Sequence, residues 1–173
     1  MTFIISMNIR GLGASRKFLE LKNLFYSKQP KIILIQETMH NTHVSISYFR
    51  EMFPTWHMSA LEANGLSGGL AVLWDPHWIR AKAYRCFVGI LISASIRGKD
   101  CPINIMNIYA PYKNRIPFWE KLFASKIFDI EFLMLAGDLN VTLNADETWG
   151  NSRKKDPLAD HIRYELLNRN LLT

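Results

Sequence analysis

Asp138 and Asn140 close the run Glu131-Phe132-Leu133-Met134-Leu135-Ala136-Gly137-Asp138-Leu139-Asn140, an apolar stretch that stops on a carboxylate and an amide. Residues 132 to 136 are too few for a helix and read as a buried strand that Gly137 ends. If the strand's alternation continues, Asp138 and Asn140 share one face while Leu139 points back into the core. Two neighbouring oxygen-bearing side chains can hold a hard cation and orient a water, which suits Mg²⁺ better than a thiophilic metal. An Asp and an Asn after a strand are also ordinary turn residues, so this pair alone decides nothing.

Other strand-like segments end in the same manner. Asn8 closes residues 3 to 9, Glu37 follows the run Ile32-Ile33-Leu34-Ile35-Gln36, and Tyr109 closes residues 103 to 109. Catalytic groups commonly sit at such ends. A carboxylate after five largely apolar residues either escapes to solvent or meets a cation, because burying it unpaired is costly. For Glu37 alone, solvent is the better reading. Beside Asp138, a metal site gains. One or two carboxylates, amides and several waters form a common Mg²⁺ arrangement for a phosphate substrate, to which Tyr109 could donate.

The elements that must position these groups can be read in order. Residues 3 to 9 form a strand, Ser15 caps a helix ending near Gln29-Pro30, and residues 32 to 35 form a strand buried on both faces. A helix around residues 45 to 52 stops at Pro54. From 56 to 109 the pattern becomes a meander of short strands, 56 to 61, 69 to 74, 78 to 87, 88 to 96 and 103 to 109, with a hairpin turn at Arg97-Gly98-Lys99-Asp100. A helix over 115 to 128 precedes the Asp138 strand, residues 146 to 155 are a polar loop, and 159 to 172 have helical spacing. The expectation is one α+β or mixed α/β layered domain over residues 1 to 173, with two sheets inside and helices outside.

Composition sets limits. A chain of 173 residues, 49% hydrophobic, supports one sizeable core. The net charge of +6 leans toward acidic partners, nucleic acid first, though solvated lysines explain a modest excess almost as well. Cys86 and Cys101 match no zinc spacing and read as reduced thiols of an intracellular protein. No apolar run reaches membrane-spanning length, and residues 1 to 7 do not form a signal peptide. Asn140-Val141-Thr142 fits a glycosylation pattern that has no meaning without secretion.

Read together, Ser6-Met7-Asn8-Ile9-Arg10-Gly11-Leu12, Ile35-Gln36-Glu37-Thr38, Ser67-Gly68-Gly69-Leu70-Ala71-Val72-Leu73-Trp74, Asn107-Ile108-Tyr109-Ala110-Pro111 and Gly137-Asp138-Leu139-Asn140 resemble the endonuclease/exonuclease/phosphatase superfamily. Within it, the likeness is to the apurinic-endonuclease-like domain of plant LINE-type non-LTR retrotransposons. It spans essentially the whole chain. The resemblance implies a four-layer αββα, DNase I-like sandwich and Mg²⁺-dependent, or Mn²⁺-dependent, cleavage of DNA phosphodiesters by a nuclear protein, a monomer with no small-molecule cofactor. It assigns Asn8 and Glu37 to the metal, Tyr109 to phosphate, and Asp138 with Asn140 to the attacking water. Arg10, Lys113, Arg153, Lys154 and Lys155 are the candidate contacts to nucleic acid.

Departures from the pattern shape a second expectation. Met7 stands where an aromatic is common, and Arg10 where repair members carry an acid. The family's last strands bring a second acid and a Ser-Asp-His motif, and this chain stops before them. Asp160-His161 offers a superficial match, but Ile162-Arg163-Tyr164-Glu165-Leu166-Leu167 continues with helical period, so Asp160 reads as a helix cap and His161 as a first-turn residue. On this reading the sandwich lacks its last strands and nicking by the chain as it stands is weak or absent. The alternative function is a catalytically inactive remnant with at most weak nucleic-acid binding. Gly11-Leu12-Gly13 before a helix imitates a dinucleotide fingerprint, but Arg16 stands in the third glycine's place. His40 and His43 lack a third zinc ligand. Trp56, Trp74, Trp78 and Trp119 mostly fit core positions.

Overall fold

A computed structural model of the chain describes residues 3–13, 15–64, 67–99, 102–144, 147, 156–169 and 171. Its elements are β1 (Ile4–Asn8), α1 (Ser15–Lys28), β2 (Ile32–Gln36), α2 (Thr42–Met52), β3 (His57–Asn64), β4 (Ser67–Trp74), β5 (Ile79–Cys86), β6 (Gly89–Ile96), β7 (Pro102–Tyr109), α3 (Arg115–Phe123), a 3₁₀ turn (Lys126–Asp129), β8 (Leu133–Asp138) and α4 (Ala159–Asn168). The strands form two four-stranded sheets, β1-β2-β4-β3 and β5-β6-β7-β8. In each sheet one pair is parallel, β1 with β2 and β7 with β8, and the rest are antiparallel.

Period-two alternation sorts the strand side chains into layers. Ile33 and Ile35 of β2 join Leu21 and Phe25 of α1 and Phe49 and Met52 of α2 in one core. Ile32 and Leu34 face the other way and meet Ile90, Ile92 and Ile105 of the second sheet. Met106 and Ile108 of β7 point outward again, against Trp119 and Leu122 of α3 and Ile162 and Leu166 of α4. The result is helix, sheet, sheet, helix: the α+β sandwich expected from the sequence. Each fully buried aliphatic or aromatic side chain contributes roughly 1.5 to 3 kcal/mol to holding the layers together.

Several boundaries differ from the sequence reading. The strand expected over 132 to 136 covers Leu133–Asp138 instead and is only half-buried, because β8 is the edge of its sheet; Met134 is 48% exposed. Phe132, at φ +53, precedes it and is exposed. The helix expected to run to residue 128 breaks after Phe123 into the 3₁₀ turn. Asp160 is not a cap: Leu158 occupies the N-cap of α4 without a side-chain bond, and Asp160 lies in the first turn. His161 lies in that turn too, as expected, its ring edge-on to Phe123. The carboxylate that receives the Leu158 N–H is Asp156.

Of the tryptophans, Trp74 and Trp119 are buried and Trp56 packs on Phe53, whereas Trp78 is half-exposed beneath the Lys31 ammonium. Cys86 is half-buried and free. Cys101 lies outside the described residues. Among the described residues, no helix is long and apolar enough to cross a membrane.

Candidate active site

The layer between the sheets changes character toward one end. Along β1 the inward positions are Ile4, Ser6 and Asn8; along β2, Ile32, Leu34 and Gln36; along β7, Ile105, Asn107 and Tyr109. β8 brings Ala136 and then Asp138. Each strand runs from apolar to polar along its own direction, and the two parallel pairings set the registers Asn8 opposite Gln36 and Tyr109 opposite Asp138. The polar residues therefore collect at the C-terminal ends of four strands, in the mouth between the sheets.

Asn8 is the hub. Its side-chain amide nitrogen donates to Glu37 Oε1 at 2.9 Å and to Asp138 Oδ2 at 2.8 Å. The Arg10 backbone N–H donates to Asn8 Oδ1 at 3.0 Å, which fixes which end of the amide faces the carboxylates. That N–H is aimed by the loop after β1, whose carbonyls at Ile9, Arg10 and Gly11 all accept from the Lys17 ammonium. Two carboxylates from opposite sheets thus share one nitrogen.

Glu37 reaches this point only because its backbone departs from the strand. It follows Gln36, which faces the inter-sheet layer, so strict alternation would send Glu37 toward the helices. Its φ of +55 breaks the alternation and returns the carboxylate to Asn8. The left-handed region costs a residue with a Cβ about 1 to 2 kcal/mol. The bend is braced by backbone bonds from Thr38 and Met39 to the carbonyls of Gly69 and Gly68. Gly69 must lack a side chain here, since a Cβ would lie 2.3 Å from Thr38 Oγ1.

Asn140 is the clearest correction to the sequence reading. β8 ends at Asp138, and Asn140, at φ +46, lies in a turn beyond it rather than two positions along a strand. Its backbone N–H donates to Asp138 Oδ1 at 3.0 Å and its side-chain amide donates to the Ala110 carbonyl. It therefore holds the Asp138 carboxylate and ties the turn to the end of β7. Gly137 lets β8 approach β7 at this point: a Cβ would come within 2.0 Å of the Ile108 carbonyl oxygen.

The Tyr109 phenol completes the group. Burial pushes its pKa up, Glu37 as hydrogen-bond partner and as charge pushes it further, Asp138 adds to this, and Asn140 opposes it. At neutral pH the phenol is a proton donor.

Two residues that the sequence did not single out brace the site. Arg115, first in α3, makes a two-pronged bond to Asp156 at 2.6 and 2.9 Å and donates to the Asn140 carbonyl at 2.8 Å. That guanidinium holds the Asp156 carboxyl below the usual carboxylate range. A lone Arg at a helix start and an Asp 41 residues away carry no shared sequence signal. Gln36 and Asn107 are the other omission; each is a polar residue inside an apolar strand, which is a readable signal.

Beside this cluster open two grooves. One, of about 880 Å³, is lined by Asn8, Gln36, Tyr112, Arg115, Asp138 and Asn140 among others. The other, of about 570 Å³, is lined by Gly68, Gly69, Phe87, Tyr109, Tyr112 and Lys113 among others. Tyr112, 80% exposed, stands between them. Arg10 and Lys113 are exposed near the site, whereas Arg153, Lys154 and Lys155 lie outside the described residues.

The donor set fits a hard divalent cation. Glu37 and Asp138 offer oxygen alone, and among the described residues neither has a Lys or Arg partner. Two like charges drawn to one neutral amide form a place where a cation is favoured, and Mg²⁺ commonly takes one or two carboxylates with water. Among the described residues no group of three or more His, Cys, Asp or Glu side chains gathers, so the histidine pair at 40 and 43 has no zinc-like partners.

No protein-family profile matches the chain. No curated protein matches it. Solved structures do. An AP endonuclease from Archaeoglobus fulgidus superposes with a TM-score of 0.69 at 17% identity, covering 97% of this chain and 70% of that one. The endonuclease domain of TRAS1, a telomere-specific non-LTR retrotransposon, gives 0.68 at 16% identity over 96% of this chain and 71% of that one. The 3' phosphatase NExo from Neisseria, bound to a product DNA hairpin, gives 0.63 at 17% identity over 96% and 69%. At these identities the likeness is one of architecture, and the conclusion is architectural: this chain has the four-layer sandwich fold shared by these endonucleases and this phosphatase.

Proposed function

We propose that the chain is a metal-dependent phosphodiesterase domain of the endonuclease/exonuclease/phosphatase superfamily, a monomeric nuclear domain that cleaves DNA and is of the kind carried by plant LINE-type retrotransposons. The observation that carries this is the Asn8 amide bonded to Glu37 and Asp138 from opposite sheets. Residues that far apart in sequence converge on one point beside an open groove, as a reaction centre requires.

In this reading Glu37 holds Mg²⁺ or Mn²⁺ with Asp138 close by, and Asn8 keeps the two carboxylates in place. A divalent cation, when bound, polarises the phosphoryl oxygen and lowers the pKa of its water. Tyr109 donates its phenolic proton to a phosphate oxygen. Asp138 accepts a proton from the attacking water, and Asn140 keeps the carboxylate oriented. The strand runs through the two grooves past Tyr112, with Lys113 and Arg10 against its backbone; Arg153, Lys154 and Lys155 are further proposed contacts.

Nicking of supercoiled plasmid tests this. Weak Mg²⁺-dependent nicking that stops with EDTA and is lost in Asp138→Ala, at unchanged DNA binding, is the expected result. A second reading, a nucleic-acid-binding relative that does not cut, rests on the site's having two acids and no histidine among the described residues. DNA binding with nicking no faster than in EDTA would replace the first reading by the second.

A further inference from the structure

The two sheets meet across an apolar layer of Ile32, Leu34, Leu70, Val72, Ile90, Ile92 and Ile105. At the end of that layer nearest the site, two amides are buried, Gln36 at 1% exposure and Asn107 at 0%. They are bonded to each other and to both sheets. Gln36 Nε2 donates to Asn107 Oδ1 at 2.6 Å and to Ser6 Oγ at 3.2 Å. Asn107 Nδ2 donates across the interface to the carbonyls of Ile35 at 3.2 Å and Ala71 at 3.1 Å. One β7 side chain is thereby tied to β2 and β4, and through Gln36 to β1.

Such a network contributes little to net stability. A buried amide must recover its lost hydration, and a satisfied pair replaced on both sides by apolar groups is close to neutral. It contributes direction instead. Apolar faces slide over one another at small cost, whereas hydrogen bonds fix distance and angle. The placement within the strands matters as much. Ser6 is two residues before Asn8, Gln36 one before Glu37, and Asn107 two before Tyr109. Asn107 is also in register with Ala136, two before Asp138. The amide layer therefore lies directly beneath the site, and it joins the sheet that carries Asn8 and Glu37 to the sheet that carries Tyr109 and Asp138.

We infer that Gln36 and Asn107 are positioning residues, an inter-sheet clamp that sets the spacing at which Glu37 from one sheet and Tyr109 and Asp138 from the other share a site. The inference rests on the proposed phosphodiesterase reading for its functional meaning, but not for its first measurement.

The test uses the full chain with Gln36→Leu and Asn107→Leu together, so that no amide is left orphaned. The side-chain NH₂ signals of Asn8, assigned in a ¹⁵N correlation spectrum by their loss in Asn8→Ala, report directly whether both carboxylates still hold that nitrogen. The clamp predicts that the double variant melts at or near the parent temperature while the Asn8 signals shift toward those of a free amide. Mn²⁺ affinity falls by about tenfold or more, in the range seen when groups behind metal ligands are removed, and any plasmid nicking loses kcat with KM unchanged. Native Asn8 signals in a folded double variant overturn the clamp. If the double variant does not fold, Asn107→Ala, which removes all three bonds between the sheets and leaves Gln36 its Ser6 partner, is read by the same signals and decides in the same way. Absence of Mn²⁺ binding by the parent chain would count against the phosphodiesterase reading alone, since the Asn8 signals still answer for the clamp.

Discussion

Glu37, bonded to the Asn8 hub, and Asn140, bonded to the Asp138 carboxylate, both hold left-handed backbone, at φ +55 and +46. Strain of this kind persists only where the surroundings over-determine it. At Glu37 the surroundings are Asn8, the Gly68 and Gly69 carbonyls, and Tyr109, whose pKa is pushed up by burial first and by Glu37 next. The Tyr109 phenol is therefore expected to ionise above the ordinary tyrosine value of about 10. In a spectrophotometric titration, read as the difference from Tyr109→Phe, the Glu37→Gln variant moves that ionisation downward. An unmoved Tyr109 titration would mean that the two side chains are not coupled. Asn8, Glu37, Tyr109 and Asp138 were legible in the sequence because each interrupts a hydrophobic pattern at a strand end. The bend that brings Glu37 inward was not, since a non-glycine residue at positive φ leaves no mark in composition. Strand alternation sets Asn140 beside Asp138 on one face, but the residue lies beyond the strand, and its side-chain amide meets the Ala110 carbonyl.

At the scale of elements, the turn after β8 hangs on α3. Arg115 grips both Asp156 oxygens and the Asn140 carbonyl, with both side chains mostly buried. Removing the guanidinium in Arg115→Ala should cost roughly 1.5 to 3 kcal/mol in urea unfolding, the range for hydrogen bonds to charged groups. Because the folded Asp156 carboxyl lies below its unfolded value of about 3.9, the folded state binds fewer protons between the two values. Its stabilisation is fully present above the unfolded value and is lost as pH falls through the folded one. Asp156→Asn should flatten the acid limb of the stability curve while lowering stability near neutral pH. A parallel acid limb in that variant would remove Asp156 from the cause. Hydrophobic period disclosed most helices and strands, but it could not pair Arg115 with Asp156, because ion pairs across distant loops are a tertiary outcome. The edge position of β8 was hidden for the same reason: an apolar run looks equally fit for the centre of a sheet.

For the molecule as a whole, a divalent cation that binds the folded site and not the unfolded chain raises stability by mass action. At a hundredfold excess over its Kd the gain is about 2.7 kcal/mol, roughly 5 to 10 °C in melting temperature for a chain of this size. Melting in Mg²⁺ or Mn²⁺ against EDTA should show such a rise for the parent chain and none for Glu37→Ala, whether or not either cuts DNA. A rise retained in Glu37→Ala would place the cation elsewhere. The layer order itself was legible from the sequence, since a strand, helix, strand opening followed by a meander and two further helices has few ways to cover both sheet faces.

The Asn8 to Asp138 hydrogen bond spans 130 positions of the chain. Closing so long a loop is entropically slow and waits on the contacts that flank it. On the ribosome, β1 and β2 can zip beside α1 long before β8 is synthesised, yet the first sheet then carries only Asn8 and Glu37 of the cluster. The cluster stays open until the polypeptide has passed Asp138 and the second sheet has docked, so the hydrolysis proposed for it would return after dilution from denaturant with the last folding event rather than the first.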